Sequence, residues 1–150
     1  MIETSQRKEI SVATINCRGI RREHKLKQLV SDITRYKIQI AAIQETHLRG
    51  TGLFQIFDDN NVYDFFFTGA SDNRYHGVGI VAAKSLKAQF QRISDRICTM
   101  TTHVNRKKMV VISAYAPTSA ASKKDPGIRE TFYETLDGAV SKESKGTLET

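Results

Sequence analysis

Apolar positions along the chain follow two different periods, and together these predict alternating strands and helices. Three short runs are nearly continuously apolar, which is typical of buried strands; they lie at 10–16, 38–43 and 109–115. Between the first two runs, apolar residues three or four positions apart predict an amphipathic helix over 24–36. A strand, a helix and a second strand with short links indicate a crossover unit in which the two strands pair in parallel.

The middle of the chain has a β character. Residues 62–68 and 77–83 are strand-like, and 97–104 alternates weakly between apolar and polar positions. The polar run 58–61 predicts a turn, and the small residues of 118–124 predict a loop. These elements, added to the crossover unit, predict an α/β fold with a mixed β-sheet and helices on its outer face.

The two ends of the chain differ from the middle. Residues 1–9 are polar and predict an N-terminal tail. Apolar residues at helical spacing continue from Ile128 to Val140, but 141–150 has no apolar pattern, so we expect a frayed C-terminal tail there. At 150 residues, one domain is the default, and we place it at 10–140.

The chain is basic, with a net charge of +7. A basic surplus favours a polyanionic partner such as DNA, although a surplus that only improves solubility explains the sum equally well. The positions are more informative, because two groups of basic residues follow predicted strand ends; these candidate nucleic-acid-binding residues are Arg18, Arg21, Arg22, Lys25, Lys123 and Lys124. The run 106–108 instead precedes the strand at 109–115, so we interpret it as a solvated hairpin tip at the opposite end.

Cysteine use and hydropathy restrict the class of protein. Cys17 and Cys98 are far apart, which argues against a disulfide framework and against a zinc cluster and fits a reducing compartment. No apolar run approaches the length of a membrane span. We therefore predict an intracellular protein without a membrane partner, and the sequence is compatible with the nucleus without determining it.

Polar side chains stand where the three apolar runs end. Asn16 ends the first, Gln44 and Glu45 follow the second, and Tyr115 ends the third. Alone, each has an ordinary explanation: a turn-forming amide, a surface carboxylate, or a packed aromatic ring. Polar groups gathered at neighbouring strand ends are nevertheless how α/β scaffolds build their sites, so the joint pattern predicts a site.

Four strings carry a resemblance to a known superfamily. They are Thr14-Ile15-Asn16-Cys17-Arg18-Gly19, Ala42-Ile43-Gln44-Glu45-Thr46-His47, Gly77-Val78-Gly79-Ile80 and Ser113-Ala114-Tyr115-Ala116-Pro117. In these strings the chain resembles the endonuclease/exonuclease/phosphatase superfamily, especially the endonuclease domains of non-LTR retrotransposon proteins that also carry a reverse transcriptase. The resemblance runs from about residue 10 to about residue 140.

The resemblance implies a catalytic set of Asn16, Glu45 and Tyr115. Glu45 would bind a divalent metal, Mg²⁺ or Mn²⁺, with Asn16 beside it on the metal or the phosphate. The Tyr115 hydroxyl would reach the scissile phosphate, and the basic residues would hold the DNA backbone. A hard dication that prefers oxygen ligands and keeps several waters suits this set.

The chain also departs from the family pattern. Family members carry a later Asp-x-Asn string that activates water and a final Ser-Asp-His string whose histidine contacts the phosphate. Neither follows Tyr115 here. We therefore expect the N-terminal half of the family's four-layer α/β sandwich, with its second sheet missing, and a chain that is inactive alone. The histidines show no ligand spacing, and we interpret them as ordinary surface or packing residues; they are His24, His47, His76 and His103.

A missing sheet has a consequence for stability. The apolar strand runs suit a sheet covered on both faces, so one face would be left open. We predict marginal stability, self-association, or a protein partner that covers this face.

Three functions fit the sequence. The first is a DNA endonuclease-like, metal-dependent phosphodiesterase. The second is a non-catalytic retroelement remnant that at most binds nucleic acid. The third is a phosphatase-like member that acts on small phosphate esters, which the basic surplus favours less than DNA.

Overall fold

The strands and helices have the following bounds in a computed structural model of the chain, which describes residues 9–71 and 76–148. They are β1 (Val12–Asn16), α1 (Glu23–Arg35), β2 (Ile40–Gln44), β3 (Thr51–Asp58), β4 (Asn61–Thr68), β5 (Val78–Ala83), β6 (Gln89–Ser94), β7 (Ile97–Val104), β8 (Lys107–Ala114), α2 (Ser119–Lys124) and α3 (Ile128–Leu148). The predicted tail over 1–9 lies outside the described residues except for Glu9, as do residues 149 and 150 of the predicted C-terminal tail.

The first sheet has five strands in the order β1-β2-β5-β4-β3. β1 and β2 pair in parallel, so that Val12 lies opposite Ile40 and Asn16 lies opposite Gln44. The remaining pairs in this sheet are antiparallel. The predicted crossover unit, its helix and its parallel pairing are thereby confirmed, and the sheet is mixed as expected.

A second sheet is present, contrary to the expectation that it would be missing. It has three antiparallel strands in the order β6-β7-β8, and it contains the strand at 109–115 that we had grouped with the first sheet. The physical reason is the tight turn at Asn105 and Arg106, both left-handed, which joins β7 directly to β8 and forces the two to pair. An apolar run alone does not specify which sheet takes the strand.

Two hydrophobic cores lie on the two faces of the first sheet. On one face, the α1 side chains of Leu29 and Ile33 pack with Phe65 and other residues of the sheet. On the other face, Ile80 packs against Met100 of the second sheet. Successive strand residues point to opposite faces, which explains why β2 is apolar at consecutive positions.

The helix α3 covers the outer face of the second sheet. Met109 and Val111 of β8 face the core between the sheets, so the alternate residues face outward, and there Lys108 forms an ion pair of 3.1 Å with Glu143 of α3. The layers of the fold are therefore stacked in the order α1, first sheet, second sheet and α3. The predicted α/β class is confirmed.

Several local predictions were wrong. The strands β3 and β6 were not predicted, because Gly50 and Gly52 lie at the start of the first and polar residues dominate the second. The predicted loop at 118–124 is the helix α2, since Thr118 accepts a capping hydrogen bond from the Ala121 N–H and small alanines favour the helix. The helix α3 continues to Leu148 through the residues expected to fray, and Glu143 in this part pairs with Lys108 of β8 at 3.1 Å.

Both cysteines are free. In the described part of the chain, no helix combines the length and the hydropathy that crossing a bilayer requires.

Candidate metal and phosphate site

Glu45 and Tyr115 meet where β2 and β8 end. The Tyr115 hydroxyl donates a hydrogen bond of 2.8 Å to Glu45 Oε1, although the two residues are 70 positions apart. Both side chains are half-buried. Burial and this bond to Glu45 raise the pKa of Tyr115 above its ordinary value, so its hydroxyl keeps the proton at neutral pH. Two predicted site residues are therefore in direct contact.

Asn16 lies beside this pair, at the end of the neighbouring strand. It is opposite Gln44 in the β1–β2 ladder, and the Gly19 N–H donates a bond of 2.7 Å to the Glu45 carbonyl just beyond. The Asn16 side chain is exposed, and its Oδ1 accepts from the Arg18 N–H at 3.2 Å. Within the described residues this amide is bonded to Arg18 rather than to Glu45.

A series of hydrogen bonds joins the two sheets beside the site. Thr14 Oγ1 donates to Gln44 Oε1 at 3.1 Å, and Gln44 Nε2 donates to Ser113 Oγ at 3.4 Å. Ser113 is fully buried and donates in turn to the Ile43 carbonyl at 3.1 Å. Because Gln44 precedes Glu45 and Ser113 lies just before Tyr115, these bonds fix where the acid and the phenol meet.

The backbone after β2 adopts an uncommon conformation. Glu45 and His47 have φ angles of 54° and 59°, in the left-handed region that residues other than glycine rarely enter. Thr46 between them is fully buried, and its N–H donates to the Gly77 carbonyl at 3.2 Å. Strain of this kind persists only where surrounding contacts impose it, and it is common at functional sites.

A basic cleft opens next to Glu45. Its volume is about 570 Å³, and it is lined by Arg18, Gly19, Arg21, Arg22, Lys25 and His47. Four of the six candidate nucleic-acid-binding residues are therefore gathered in one place. The other two, Lys123 and Lys124, are exposed on α2 and do not line this cleft.

Two of the four histidines have defined surroundings. His47 lines the basic cleft, and its pKa is lowered, chiefly by burial. His76 is buried, and its Nε2 lies 3.1 Å from Asp95 Oδ2. The hydrogen bond with His76 lowers the pKa of Asp95. No spacing rule could have found this pair, because its members come from separate segments that only the fold brings together.

Arg96 is a second residue that the sequence did not single out. Its Nη1 donates to the Tyr115 carbonyl at 3.4 Å, and its own carbonyl accepts from the Tyr115 N–H at 3.0 Å. The Arg96 guanidinium is thereby held at the backbone of Tyr115.

Comparisons with known proteins concern the fold of the chain. No protein-family model and no curated protein matches the chain. Among solved structures, the endonuclease domain of TRAS1, a telomere-specific non-LTR retrotransposon, superposes over 90% of this chain with a TM-score of 0.58 at 16% identity. The AP endonuclease LMAP from Leishmania major superposes over 83% with a TM-score of 0.58 at 13% identity. An endonuclease/exonuclease/phosphatase family protein from Leptotrichia buccalis C-1013-b superposes over 82% with a TM-score of 0.51 at 14% identity.

The chain has the fold of the endonuclease/exonuclease/phosphatase superfamily. The predicted resemblance is confirmed at the level of the fold, including the likeness to a non-LTR retrotransposon endonuclease. The chain spans about half the length of these superfamily structures: it covers 54% of the TRAS1 domain, 45% of LMAP and 60% of the bacterial protein.

The residues at the strand ends suit a hydrated Mg²⁺ or Mn²⁺ better than a Zn²⁺ ion enclosed by four protein ligands. Within residues 9–71 and 76–148, no group of three or more histidine, cysteine, aspartate or glutamate side chains could enclose a metal ion. Mg²⁺ needs no such cage, because it keeps several waters and takes one or two carboxylates together with substrate phosphates. The half-buried carboxylate of Glu45 and the exposed amide of Asn16 fit that requirement.

The contact between Gly19 and His47 predicts a costly substitution. A Cβ on Gly19 would lie 2.6 Å from His47 Nδ1, and the φ of +95° is unfavourable for any other residue. We expect Gly19→Ala to lower the free energy of unfolding by about 2–3 kcal/mol, combining backbone strain and the displaced ring. Gly50→Ala is the control, because its φ is +71° but nothing lies within 4 Å of a Cβ there. Urea unfolding measures the free energy of unfolding of both variants. If Gly19→Ala and Gly50→Ala lost equal amounts, the predicted clash with His47 would be contradicted.

The His76–Asp95 pair predicts a stability difference that depends on pH. The pKa of Asp95 in the folded protein is lower than in the unfolded chain. The ionised carboxylate therefore stabilises the folded state fully when the pH is above the unfolded pKa, and this stabilisation is lost as the pH falls through the folded pKa. Asp95→Asn should cost about 0.5–1 kcal/mol at neutral pH, the size expected for a partly exposed pair. The cost should shrink as the pH falls through the lowered folded pKa of Asp95 and disappear once that carboxyl is protonated. Urea unfolding of both proteins over a series of falling pH values tests this, and a constant cost would contradict it.

Proposed function

We propose that this chain carries the metal- and phosphate-binding part of a DNA endonuclease-like site, and that it binds DNA but does not cleave it alone. The observation that carries the proposal is the contact between the Glu45 carboxylate and the Tyr115 hydroxyl, at the end of the sandwich where Asn16 also lies. The likeness in fold to the TRAS1 endonuclease domain supports the same reading.

Each side chain has a distinct role in the proposal. Glu45, with Asn16, holds a hydrated Mg²⁺ or Mn²⁺. Tyr115 keeps its proton at neutral pH and can therefore donate a hydrogen bond to a phosphate oxygen. When bound, the metal would neutralise negative charge that develops on the phosphate and the leaving oxygen.

DNA is the proposed partner because the basic cleft adjoins these residues. Arg18, Arg21, Arg22 and Lys25 surround an open space next to Glu45, and none of them has a carboxylate partner in the described ion pairs. Lysine and arginine side chains position a phosphate backbone without reading its sequence. We propose that Lys123 and Lys124 contact the backbone further along, on the α2 side of Tyr115. A nuclear location is compatible with this partner and stays a prediction.

Cleavage requires groups that the chain does not offer after Tyr115. Neither an Asp-x-Asn nor a Ser-Asp-His string follows it in the sequence. A positioned general base alone contributes about two to four orders of magnitude to the rate. This favours binding without turnover over a complete enzyme. Action on small phosphate esters is the weaker alternative, because the cleft is open and basic along several residues rather than closed around one small molecule.

A plasmid assay separates these functions. In Mg²⁺, we expect the chain to retard supercoiled plasmid in a gel without nicking it, and Glu45→Ala to bind with weaker Mg²⁺ dependence. Magnesium-dependent nicking that disappears in Glu45→Ala would show a complete enzyme and contradict the inactive part of the proposal. If the chain did not bind DNA even at low salt, the proposal that it is a DNA-binding protein would be contradicted.

A further inference from the structure

A large cleft opens at the end of the first sheet that lies opposite Glu45. The distance from Gln39, where this cleft lies, to Glu45 along β2 is about 20 Å at 3.3 Å per residue. Three segments line the cleft: the link from α1 to β2, the turn from β3 into β4, and the end of β5 with the single-turn 3₁₀-helix Lys84–Leu86. Its volume is about 1040 Å³. We call it the far-end cleft.

The side chains around the far-end cleft are basic. Lys37, Lys84 and Lys87 line it, and all three are exposed. Within the described residues, none of these lysines forms an ion pair. The carboxylates of the adjoining turn, Asp58 and Asp59, do not line the cleft. The lining therefore carries a net positive charge, and the lysine ammonium group is a common ligand of phosphate.

Hydrogen bonds of the backbone fix where Lys37 lies. Its φ is 54°, and its N–H donates to the Thr34 carbonyl at 3.1 Å. The N–H of Ile38 donates to the Ile33 carbonyl at 3.0 Å. These are the two bonds of a Schellman motif, in which glycine usually occupies the left-handed position. They also satisfy two of the last carbonyls of α1, which reduces the negative charge that this helix end presents to the cleft.

The other two lysines lie on one side of a single helical turn. Residues three positions apart in a 3₁₀-helix are eclipsed, and the Lys87 N–H donates to the Lys84 carbonyl at 3.0 Å. Leu86 between them is buried, and its carbonyl accepts a hydrogen bond from Thr102 Oγ1 of β7. The turn is thereby fixed to the second sheet. Two ammonium groups are held beside the same cleft, which suits a ligand with more than one negative charge.

The rest of the lining differs from a simple anion site. Ile38, Val62 and Ala83 are half-buried and give the cleft an apolar surface. Asn60 and Asn61 are exposed beside it, and a carboxamide can both donate to and accept from the edge of a base. The volume is at the upper end of the roughly 300–1,000 Å³ that is typical of sites for small organic ligands. The ligand is therefore larger than one phosphate ion.

We propose that the far-end cleft binds a nucleotide. Its phosphates lie on Lys84 and Lys87, with Lys37 as a third charge, and its sugar and base lie on the apolar surface beside Asn60 and Asn61. The nucleotide is either free or one unit of a nucleic-acid strand, since both present the same groups. This site goes beyond the proposed function, because it uses neither Glu45 nor the basic cleft.

Amide chemical shifts of the ¹⁵N-labelled full chain test the proposal. Thymidine triphosphate, a six-residue oligothymidylate and tripolyphosphate are titrated separately in the presence of EDTA, so that no metal contributes. We expect saturable shifts of the amides of Asn61, Lys84, Ser85 and Lys87 with the first two probes. Tighter binding of the triphosphate would support a free nucleotide, and tighter binding of the oligothymidylate would support a strand.

Two results of these titrations would overturn the proposal. The first is that the saturable shifts are confined to the basic cleft or are absent. The second is that tripolyphosphate binds at the far-end cleft as tightly as thymidine triphosphate, because the sugar and base would then make no contact there.

The double substitution Lys84→Gln and Lys87→Gln should weaken thymidine triphosphate binding at the far-end cleft by at least about fivefold, because two charged contacts are lost. Both side chains are exposed, so the fold should be unaffected. The control, Arg92→Gln with Lys142→Gln, removes two exposed charges from β6 and α3, and neither residue lines this cleft. We expect the control to bind like the unsubstituted chain. Equal losses of affinity in these two variants would overturn the proposal.

Discussion

Glu45→Gln should weaken Mn²⁺ binding by at least about tenfold, because it removes the carboxylate that we place on the metal. The substitution keeps the size of the side chain and its ability to accept a hydrogen bond from Tyr115, so the fold should be unaffected. Free Mn²⁺ is measured directly by its electron paramagnetic resonance signal during a titration.

The matched control is Glu23→Gln. Glu23 is an exposed residue of α1 that pairs with Lys27 at 3.2 Å, and its substitution makes the same change of charge away from the strand ends. We expect its Mn²⁺ affinity to equal that of the unsubstituted chain. If the two variants lose affinity equally, the binding reflects general attraction of a cation and Glu45 has no special role.

The double substitution Arg21→Gln and Arg22→Gln should weaken binding to a DNA duplex by about 10- to 100-fold at low salt. Both arginines line the basic cleft beside Glu45. Each neutralised phosphate contributes about 0.9 to the slope of log affinity against log salt concentration, so the slope should become shallower by roughly 2. Fluorescence anisotropy over a salt series measures both quantities.

A second double variant separates position from net charge. Arg106→Gln with Lys107→Gln removes the same two charges from the exposed hairpin tip between β7 and β8, at the opposite end of β8 from Tyr115. We expect less than about a threefold change in affinity and an unchanged salt slope. Equal losses in the two double variants would show that DNA responds to net charge alone and would exclude the cleft as the binding site.

The sequence was informative about local structure and about strings at strand ends. The spacing of Leu29 and Ile33 predicted α1, and the crossover unit predicted the parallel pairing of β1 and β2. The strings around Glu45 and Tyr115 predicted two residues that the fold brings to 2.8 Å. The helix spacing and the strings depend on a few neighbouring residues, whereas the meeting of Glu45 and Tyr115, 70 positions apart, was predicted from the superfamily resemblance.

Other features that depend on tertiary contacts were not predicted. The place of β8 in the second sheet follows from its hairpin with β7, and no apolar run encodes it. Arg96 reaches Tyr115 only because β7 and β8 pair, and the His76–Asp95 contact joins separate segments. The pair between Glu143 of α3 and Lys108 of β8 likewise joins distant segments. Local propensity cannot report such contacts, since the partners are far apart in the chain.

The central claim is that Asn16, Glu45 and Tyr115 surround one position that a metal ion can occupy. Paramagnetic broadening by substoichiometric Mn²⁺ in ¹⁵N-resolved NMR spectra tests it most directly. We predict that the amide signals of these three residues broaden first, and that this selective broadening disappears in Glu45→Gln. Broadening that is centred elsewhere, or that persists unchanged in Glu45→Gln, would contradict the claim.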